Sequence, residues 1–154
     1  HERRRFFSGY MVIARAQMVF GSLSEAQAIA EVVTTRSRCP RHRSEGHRLL
    51  GMLHAKTLAA AAAAAEVAQS AAEDRQWVLH MAETEFRKAM ELAREEQLGI
   101  FEVLAAAELC SLLEACGRGV EGRKILEDAK AQVSATPGEF EVLLQTRSRG
   151  WALW

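Results

Sequence analysis

Three segments of this chain share one spacing of small and apolar residues, and this repeat restricts the fold more than any other feature. The segments begin at Ala26, Ala82 and Gly122, and in each of them apolar residues follow four and seven positions later. Residues at these separations lie on one side of an α-helix. A small residue at the first position lets two helices approach closely, and the later residues fill the groove between them. The repeat therefore predicts helix pairs that bury their apolar sides against neighbouring pairs.

Helix-favouring residues dominate the rest of the chain as well. Ala, Leu, Glu and Arg are abundant, whereas proline occurs only at positions 40 and 137. Runs typical of strands are scarce, so we predict an all-α fold. The residues expected to pack between its helices are Ala26, Ala30, Val33, Leu50, Gly51, Ala82, Phe86, Ala89, Leu109, Leu113, Gly122, Leu126 and Ala129.

Apolar periodicity and its interruptions divide the chain into separate helices. The first is predicted over 5–20, and the second follows Ser22. The third is predicted over 44–72, with its end marked by 74–76. Further helices are predicted around 79–93, over 100–116, over 120–133 and after Pro137.

Turn residues mark several of these boundaries. Ser22 and Glu25 have the spacing of a capping box, in which side chains bond to free amides at the helix start. Pro40 disfavours helical conformation in the preceding residue, so a break is expected at Cys39 and Pro40. Gly117 is predicted to end the fifth helix in a left-handed conformation. The apolar sides of the first, second and fifth helices are expected to include Ile13, Leu23 and Cys116, respectively.

The chain is divided into two regions. Residues 1–133 hold the helical repeats, and residues 134–154 hold a short capping helix and a tail. Within the first region, residues 57–80 form an Ala-rich insertion that contains seven consecutive alanines, Ala59–Ala65. Because alanine has the highest helix propensity, this insertion is predicted to form either one long helix or an inserted arm.

The stretch EGHRLLGMLHA, residues 45–55, and a longer stretch over residues 82–129 resemble tetratricopeptide repeats. The likeness is to the repeat region that follows the ATPase module in large signalling proteins with adenylate or guanylate cyclase or regulator domains. Residues 20–33 share it, whereas the segment between His54 and Met81 holds roughly 25 residues where the family has a short turn. The resemblance implies an α-solenoid of antiparallel helix pairs that binds proteins and has no catalytic residues to carry over.

The composition disfavours several classes of function. Lys and Arg total 20 and Asp and Glu total 20, so the chain lacks the positive field of a general nucleic-acid binder. No segment reaches the ~18 apolar residues of a membrane span. Three cysteines without CxxC spacing indicate buried free thiols. We therefore expect a reducing intracellular compartment, either the cytoplasm or an organelle.

Patterns that suggest catalysis or ligand binding lack the context that they require. Residues 117–122 read G-x-G-x-x-G, but the dinucleotide motif follows a strand, and a helix is predicted there. His47 and His54 lie about 10 Å apart along a helix, too far for two ligands of one metal ion. Glu95 and Glu96 are adjacent but have no histidine or cysteine beside them. We therefore predict no catalytic, cofactor or metal site and no enzyme activity.

Candidate partner-binding residues occur in two places. A basic connector between the second and third helices is opposed only by Glu45, and it suits an acidic partner or phosphates. A solvated loop is the alternative interpretation. Two tryptophans in the tail either cap the last helix or anchor a partner. The candidates are Arg36, Arg38, Arg41, Arg43, Arg48, Trp151 and Trp154.

These features predict a non-catalytic protein–protein interaction or scaffold domain that binds a protein partner within a larger protein or assembly. The alternative is an accessory structural subunit of a large complex, such as an organellar respiratory, ribosomal or photosynthetic assembly. Contact with nucleic acid through the basic connector is the third possibility.

Overall fold

The fold was examined in a computed structural model that describes residues 2–64 and 71–134, with side-chain surroundings described for 9–63 and 73–133. Within these ranges the chain is helical apart from short connections, and no strand occurs. The predicted all-α class is therefore confirmed. The helices are α1 (Glu2–Phe20), α2 (Leu23–Arg36), α3 (Pro40–Ala64), α4 (Ala71–Glu95), α5 (Gly99–Ala115) and α6 (Gly119–Ser134).

Helix α3 differs from its predicted bounds at both ends. It begins at Pro40, where the missing amide of proline costs nothing because the first amides of a helix have no partner within it. It is described as far as Ala64, and residues 74–76, the predicted end, lie inside α4. The predicted start was wrong because Pro40 is compatible with the first turn of a helix, and the predicted end was wrong because the Ala-rich stretch contains no glycine or proline to mark a break. The predicted helix after Pro137 lies outside the described residues.

The predicted start of α2 and end of α5 are both confirmed. Ser22 is the N-cap of α2, and its hydroxyl accepts a hydrogen bond from the Glu25 amide at 3.4 Å. Gly117 has a φ of 78°, the left-handed conformation expected after a helix end. The Arg118 amide donates to the Leu113 carbonyl at 2.7 Å, which completes a Schellman motif.

The turn between α4 and α5 repeats this motif without a glycine at its centre. Gln97 has a φ of 55°, and the Leu98 amide donates to the Ala93 carbonyl at 2.7 Å. A left-handed backbone is unfavourable for a residue with a Cβ atom, so this turn is strained where Gly117 is not. The nearest glycine, Gly99, is not the left-handed residue but the first residue of α5.

We expect Gln97→Gly to raise the free energy of unfolding by about 0.5 to 1 kcal/mol. The glycine removes the left-handed strain of about 1 to 2 kcal/mol, and its greater freedom in the unfolded chain offsets part of the gain. Urea denaturation measures the difference. Gly117→Ala is the matched control: its Cβ meets no atom within 4 Å, so a loss of about 1 kcal/mol there reports conformation alone. A destabilised Gln97→Gly variant would contradict the motif.

Consecutive helices run antiparallel and helices of the same parity run parallel. In the α3–α4 pair, Ser44 bonds to the Ala89 carbonyl and His47 bonds to Glu85, so the residue numbers run in opposite directions. Helix α1 contacts α3, and α3 contacts α5. Arg15 and Met18 on α1 bond to Glu45 and Lys56 on α3, so the residue numbers of these two helices rise together. Helix α5 runs antiparallel to α4, because Arg94 bonds to Glu102 and Glu83 bonds to Arg118 just beyond α5, so α5 shares the direction of α3.

The even-numbered helices α4 and α6 also run in a common direction. Arg87 bonds to Glu121 and Arg94 bonds to Gln132, which are 34 and 38 positions further along the chain. Within the described residues, no helix is long and apolar enough to span a membrane.

The predicted packing residues lie mostly in the interior. Leu126 is half-buried and the other members of the set are buried. Two glycines in the set show why small residues are needed: a Cβ on Gly51 would lie 2.8 Å from the Phe86 ring, and one on Gly122 would lie 3.0 Å from the Cys110 backbone. These glycines allow α3 to approach α4 and α6 to approach α5.

Three residues predicted to be buried lie at the surface. Ile13 on α1, Leu23 on α2 and Cys116 after α5 are all exposed, which corrects those predictions. Cys116 follows the last residue of α5 and points away from the core, and Cys39 is half-buried. Of the three thiols expected in the interior, only that of Cys110 is buried.

The Ala-rich region lengthens one helix pair. Helices α3 and α4 have 25 residues each, against 14 to 19 in the others. Leu58 and Leu79 pack against the core formed by α4, α5 and α6, and Trp77 beside them is exposed. The described parts of 57–80 are therefore the ends of two paired helices.

Candidate interaction surfaces

The basic connector lies where α2 ends and α3 begins. Arg36 is the last residue of α2, Arg38 is in the connection, and Arg41 and Arg43 lie in the first turn of α3. The first three are exposed and Arg43 is half-buried. Within the described part of the chain, none of these four arginines forms an ion pair with a carboxylate. They will be called the connector arginines.

Short-range contacts hold the connector in one conformation. The guanidinium of Arg41 lies 4.8 Å from the centre of the Phe101 ring, a cation–π contact that joins the connector to α5. The Cys39 amide donates to the Ser37 hydroxyl at 3.2 Å, and the Ser37 amide donates to the Val33 carbonyl at 3.1 Å. The connection is therefore a hydrogen-bonded turn, and it sets the positions of the backbone atoms that carry the connector arginines.

Arg48, which the sequence analysis placed with the connector, lies in the interior. Its guanidinium donates two hydrogen bonds of 2.7 Å to Glu45, and a third of 3.3 Å reaches Glu108 on α5. Burial lowers the pKa of Arg48, and Glu108 acts in the opposite direction. Its side chain is thus used inside the fold, which corrects its assignment as a partner-binding residue.

Arg48 belongs to a row of alternating charges that crosses the odd-numbered helices. Arg15 on α1 binds Glu45 on α3, Glu45 binds Arg48, and Arg48 binds Glu108 on α5. Burial, followed by the charge of Arg48, lowers the pKa of Arg15 to about 10. Each charge has an opposite neighbour, so the row links three helices and leaves little net charge for a ligand.

A groove of about 340 Å³ lies between α4 and α6. Its base is apolar, with Met90 and Ile125, and its rim carries charges of both signs. The two arginines of the rim already bind carboxylates: Arg87 pairs with Glu121, and Arg94 pairs with the buried Glu102. The lining residues are Arg87, Met90, Glu91, Arg94, Ile125 and Asp128.

An ion pair between His47 and Glu85 joins α3 to α4. Nδ1 of His47 lies 2.6 Å from a Glu85 carboxylate oxygen, and Lys88 lies 3.7 Å from the other. Burial by itself would raise the pKa of Glu85, but the hydrogen bond and charge of His47, with help from Lys88 and His54, lower it below its usual value. Burial lowers the pKa of His54, so its neutral form is favoured.

We expect the Glu85 ion pair to make stability fall in acid. Because the pKa of Glu85 is lower in the folded chain than in the unfolded one, its stabilisation is complete above the unfolded value of about 4.5. The stabilisation is lost as pH falls below this value. Urea denaturation at a series of pH values measures the effect. Glu85→Gln should flatten the profile below about pH 4.5, whereas Glu127→Gln on the surface of α6 should not. Identical profiles for wild type and Glu85→Gln would contradict the assignment.

The other patterns noted in the sequence have structural roles. Helix α5 precedes the G-x-G-x-x-G segment, where a dinucleotide site has a strand, and Gly122 packs against Cys110. Among the described residues, no group of three or more histidine, cysteine, aspartate or glutamate side chains is placed to hold a metal ion. Trp151 and Trp154 lie outside the described residues.

Helix α1 carries a surface that the sequence analysis missed. All six of the exposed residues between positions 9 and 20 are apolar, while the polar residues Tyr10, Arg15 and Gln17 are half-buried. Val12 is 66% exposed and Phe20 is 84% exposed. The sequence could have indicated this surface, because α1 carries apolar residues on two sides. Such a pattern is typical of a helix that is covered by other protein on both sides. This outer face of α1 comprises Gly9, Val12, Ile13, Ala16, Val19 and Phe20.

Comparison of the chain with protein-family models, with curated proteins and with solved structures found no match.

Proposed function

We propose that this chain is a helical-repeat domain of tetratricopeptide type that binds another protein and does not catalyse a reaction. The observation that carries the proposal is the outer face of α1. An uninterrupted apolar surface gains free energy by leaving water, at roughly 25 cal/mol per Å² of area covered. Only an apolar partner surface provides this gain, which favours protein over nucleic acid.

The repeat assignment has separate support. Consecutive helices are antiparallel and the odd-numbered helices share one direction, as successive helix pairs in a stack do. Small residues of the recurring spacing, among them Ala26, Ala82 and Gly122, are buried between helices. In such a stack the end pair normally presents a polar outer side when water covers it. The apolar side of α1 is the opposite, so we infer that a further polypeptide surface packs there.

Affinity purification followed by mass spectrometry tests this proposal. The tagged chain is recovered from an extract of its source organism, beside the variants Phe20→Asp and Val120→Asp. Val120 is a matched control because it is 79% exposed but lies on α6, away from α1. We expect wild type and Val120→Asp to retain the same proteins and Phe20→Asp to lose them at least tenfold, as for a binding hot spot. Equal recovery with all three chains would contradict the proposal.

A second candidate, an accessory subunit of a large assembly, is favoured by the composition of the same face. No charged side chain interrupts the exposed positions of α1 from 9 to 20, and interfaces that never open are the most apolar. Stoichiometry separates the two candidates. Partners that remain in fixed whole-number ratios through repeated purification support a permanent subunit, whereas partners that dissociate support an exchanging interaction domain.

A further inference from the structure

We propose that the connector arginines form a docking surface for an acidic polypeptide segment, a second contact that rests on the protein-binding function proposed above. This surface is separate from the outer face of α1, because it lies at the α2–α3 turn and is bounded by α5. It is recognised by charge, whereas the outer face of α1 is recognised by apolar packing.

The first argument is the contrast with the other arginines. The chain has as many acidic as basic residues, and six other arginines bind a carboxylate within the described structure. Among the residues that the structure describes, the connector arginines have no such partner. Positive charge is therefore concentrated here by the fold, even though the net charge is zero. The six paired arginines are Arg15, Arg48, Arg87, Arg94, Arg118 and Arg123.

The acidic residues around the connector do not neutralise it. The first turn of α3 contains no acidic residue. Glu45, the next carboxylate along α3, is buried and bound to Arg15 and Arg48. Glu95 and Glu96 at the end of α4 are exposed, and within the described residues neither forms an ion pair. An incoming carboxylate therefore meets unpaired guanidinium groups.

The surface is also prepared for binding. Arg41 is held over Phe101, and the hydrogen bond between the Cys39 amide and the Ser37 hydroxyl restricts the backbone at Arg38. Fixing these groups in advance lowers the entropy lost when a partner binds. Guanidinium groups bind carboxylates through two parallel hydrogen bonds, which gives geometric selectivity in addition to attraction.

An acidic polypeptide fits this surface better than a nucleic acid does. Four arginines within eight positions match a short segment, because an extended chain rises about 3.3 Å per residue and presents every second carboxylate on the same side. Single-stranded nucleic acid is bound by open aromatic rings, but Arg41 covers Phe101.

Isothermal titration calorimetry of the whole chain with a synthetic deca-glutamate peptide tests the proposal by measuring the binding affinity. We expect saturable binding that weakens between about 50 and 200 mM salt, as for contacts made by charge. Arg38→Glu should reduce the affinity at least tenfold, because Arg38 is exposed and has no internal bond to lose. Lys124→Glu on α6 makes the same change of charge at another exposed position and should alter the affinity less than about twofold.

Three results would overturn the docking surface. They are no saturable binding, equal weakening by Arg38→Glu and Lys124→Glu, or tighter and equally Arg38-dependent binding of single-stranded DNA of the same charge. Phe20→Asp should leave the deca-glutamate affinity unchanged. Loss of peptide binding alone removes this inference and leaves the proposed function standing. Conversely, peptide binding without Phe20-dependent partners removes the role of the α1 face.

Discussion

We expect Glu45→Ala to lower the free energy of unfolding by about 3 to 5 kcal/mol, as measured by urea denaturation. The carboxylate of Glu45 is buried and receives two hydrogen bonds from Arg48 and one from Arg15. Removing it leaves the Arg48 charge in the interior with only Glu108, at 3.3 Å, to oppose it. The cost arises because a buried charge without its partner has lost its water and gained little in return.

A double variant separates the charge effect from packing. Glu45→Met combined with Arg48→Met removes both charges and keeps apolar volume, so it should recover most of the loss and can exceed wild-type stability. A single variant at Glu127, which is exposed on α6, should change stability by less than about 1 kcal/mol. A loss of less than about 1 kcal/mol in the free energy of unfolding for Glu45→Ala would show that the row of charges does not hold α1, α3 and α5 together.

We expect Phe86→Ala to cost about 3 to 5 kcal/mol, because it empties the space of a buried aromatic ring. Phe86 is 1% exposed, lies in the core formed by α4, α5 and α6, and fills the gap left by Gly51 on α3. One ring thus joins the long α3–α4 pair to the rest of the interior. Thermal and urea denaturation measure the loss.

Trp77→Ala provides the matched control. Both residues are aromatic and both lie on α4, but Trp77 is 61% exposed, so its removal should cost less than about 1 kcal/mol. Similar losses for the two variants would place Phe86 outside the core and contradict the packing of α3 on α4.

Periodicity and turn chemistry predicted the all-α class and several helix ends because both act locally. The apolar residues that include Ala82 and Phe86 could be assigned to the buried side of a helix from their spacing alone. The glycine at position 117 predicted the left-handed turn that is found there. The turn at Gln97 adopts the same conformation without a glycine, so the sequence carried no signal for it. Here the packing of α4 against α5 outweighs the local preference of one residue.

The candidate surfaces depend on tertiary contacts, and the sequence predicted them less well. Arg48 and the connector arginines are indistinguishable as residue types, yet Arg48 is buried because Glu45 lies three positions before it on the same helix. Ile13 and Ala14 both fit the three- and four-residue spacing of the predicted apolar side of α1. Ala14 is buried, but Ile13 faces outward. Helix α1 is apolar on two sides, and its neighbours α2 and α3 decide which of the two faces the core. The sequence of residues 5–20 alone does not contain that information.

Site-specific photo-crosslinking at the outer face of α1 tests the central claim most directly. A benzoylphenylalanine probe replaces Phe20 in one chain and Val120 in another, and each is irradiated in cells of the source organism. We predict that the Phe20 probe forms a discrete adduct with one protein and that the Val120 probe does not. Absence of an adduct at Phe20, or the same adducts from both positions, would contradict the claim that α1 presents a protein-binding face.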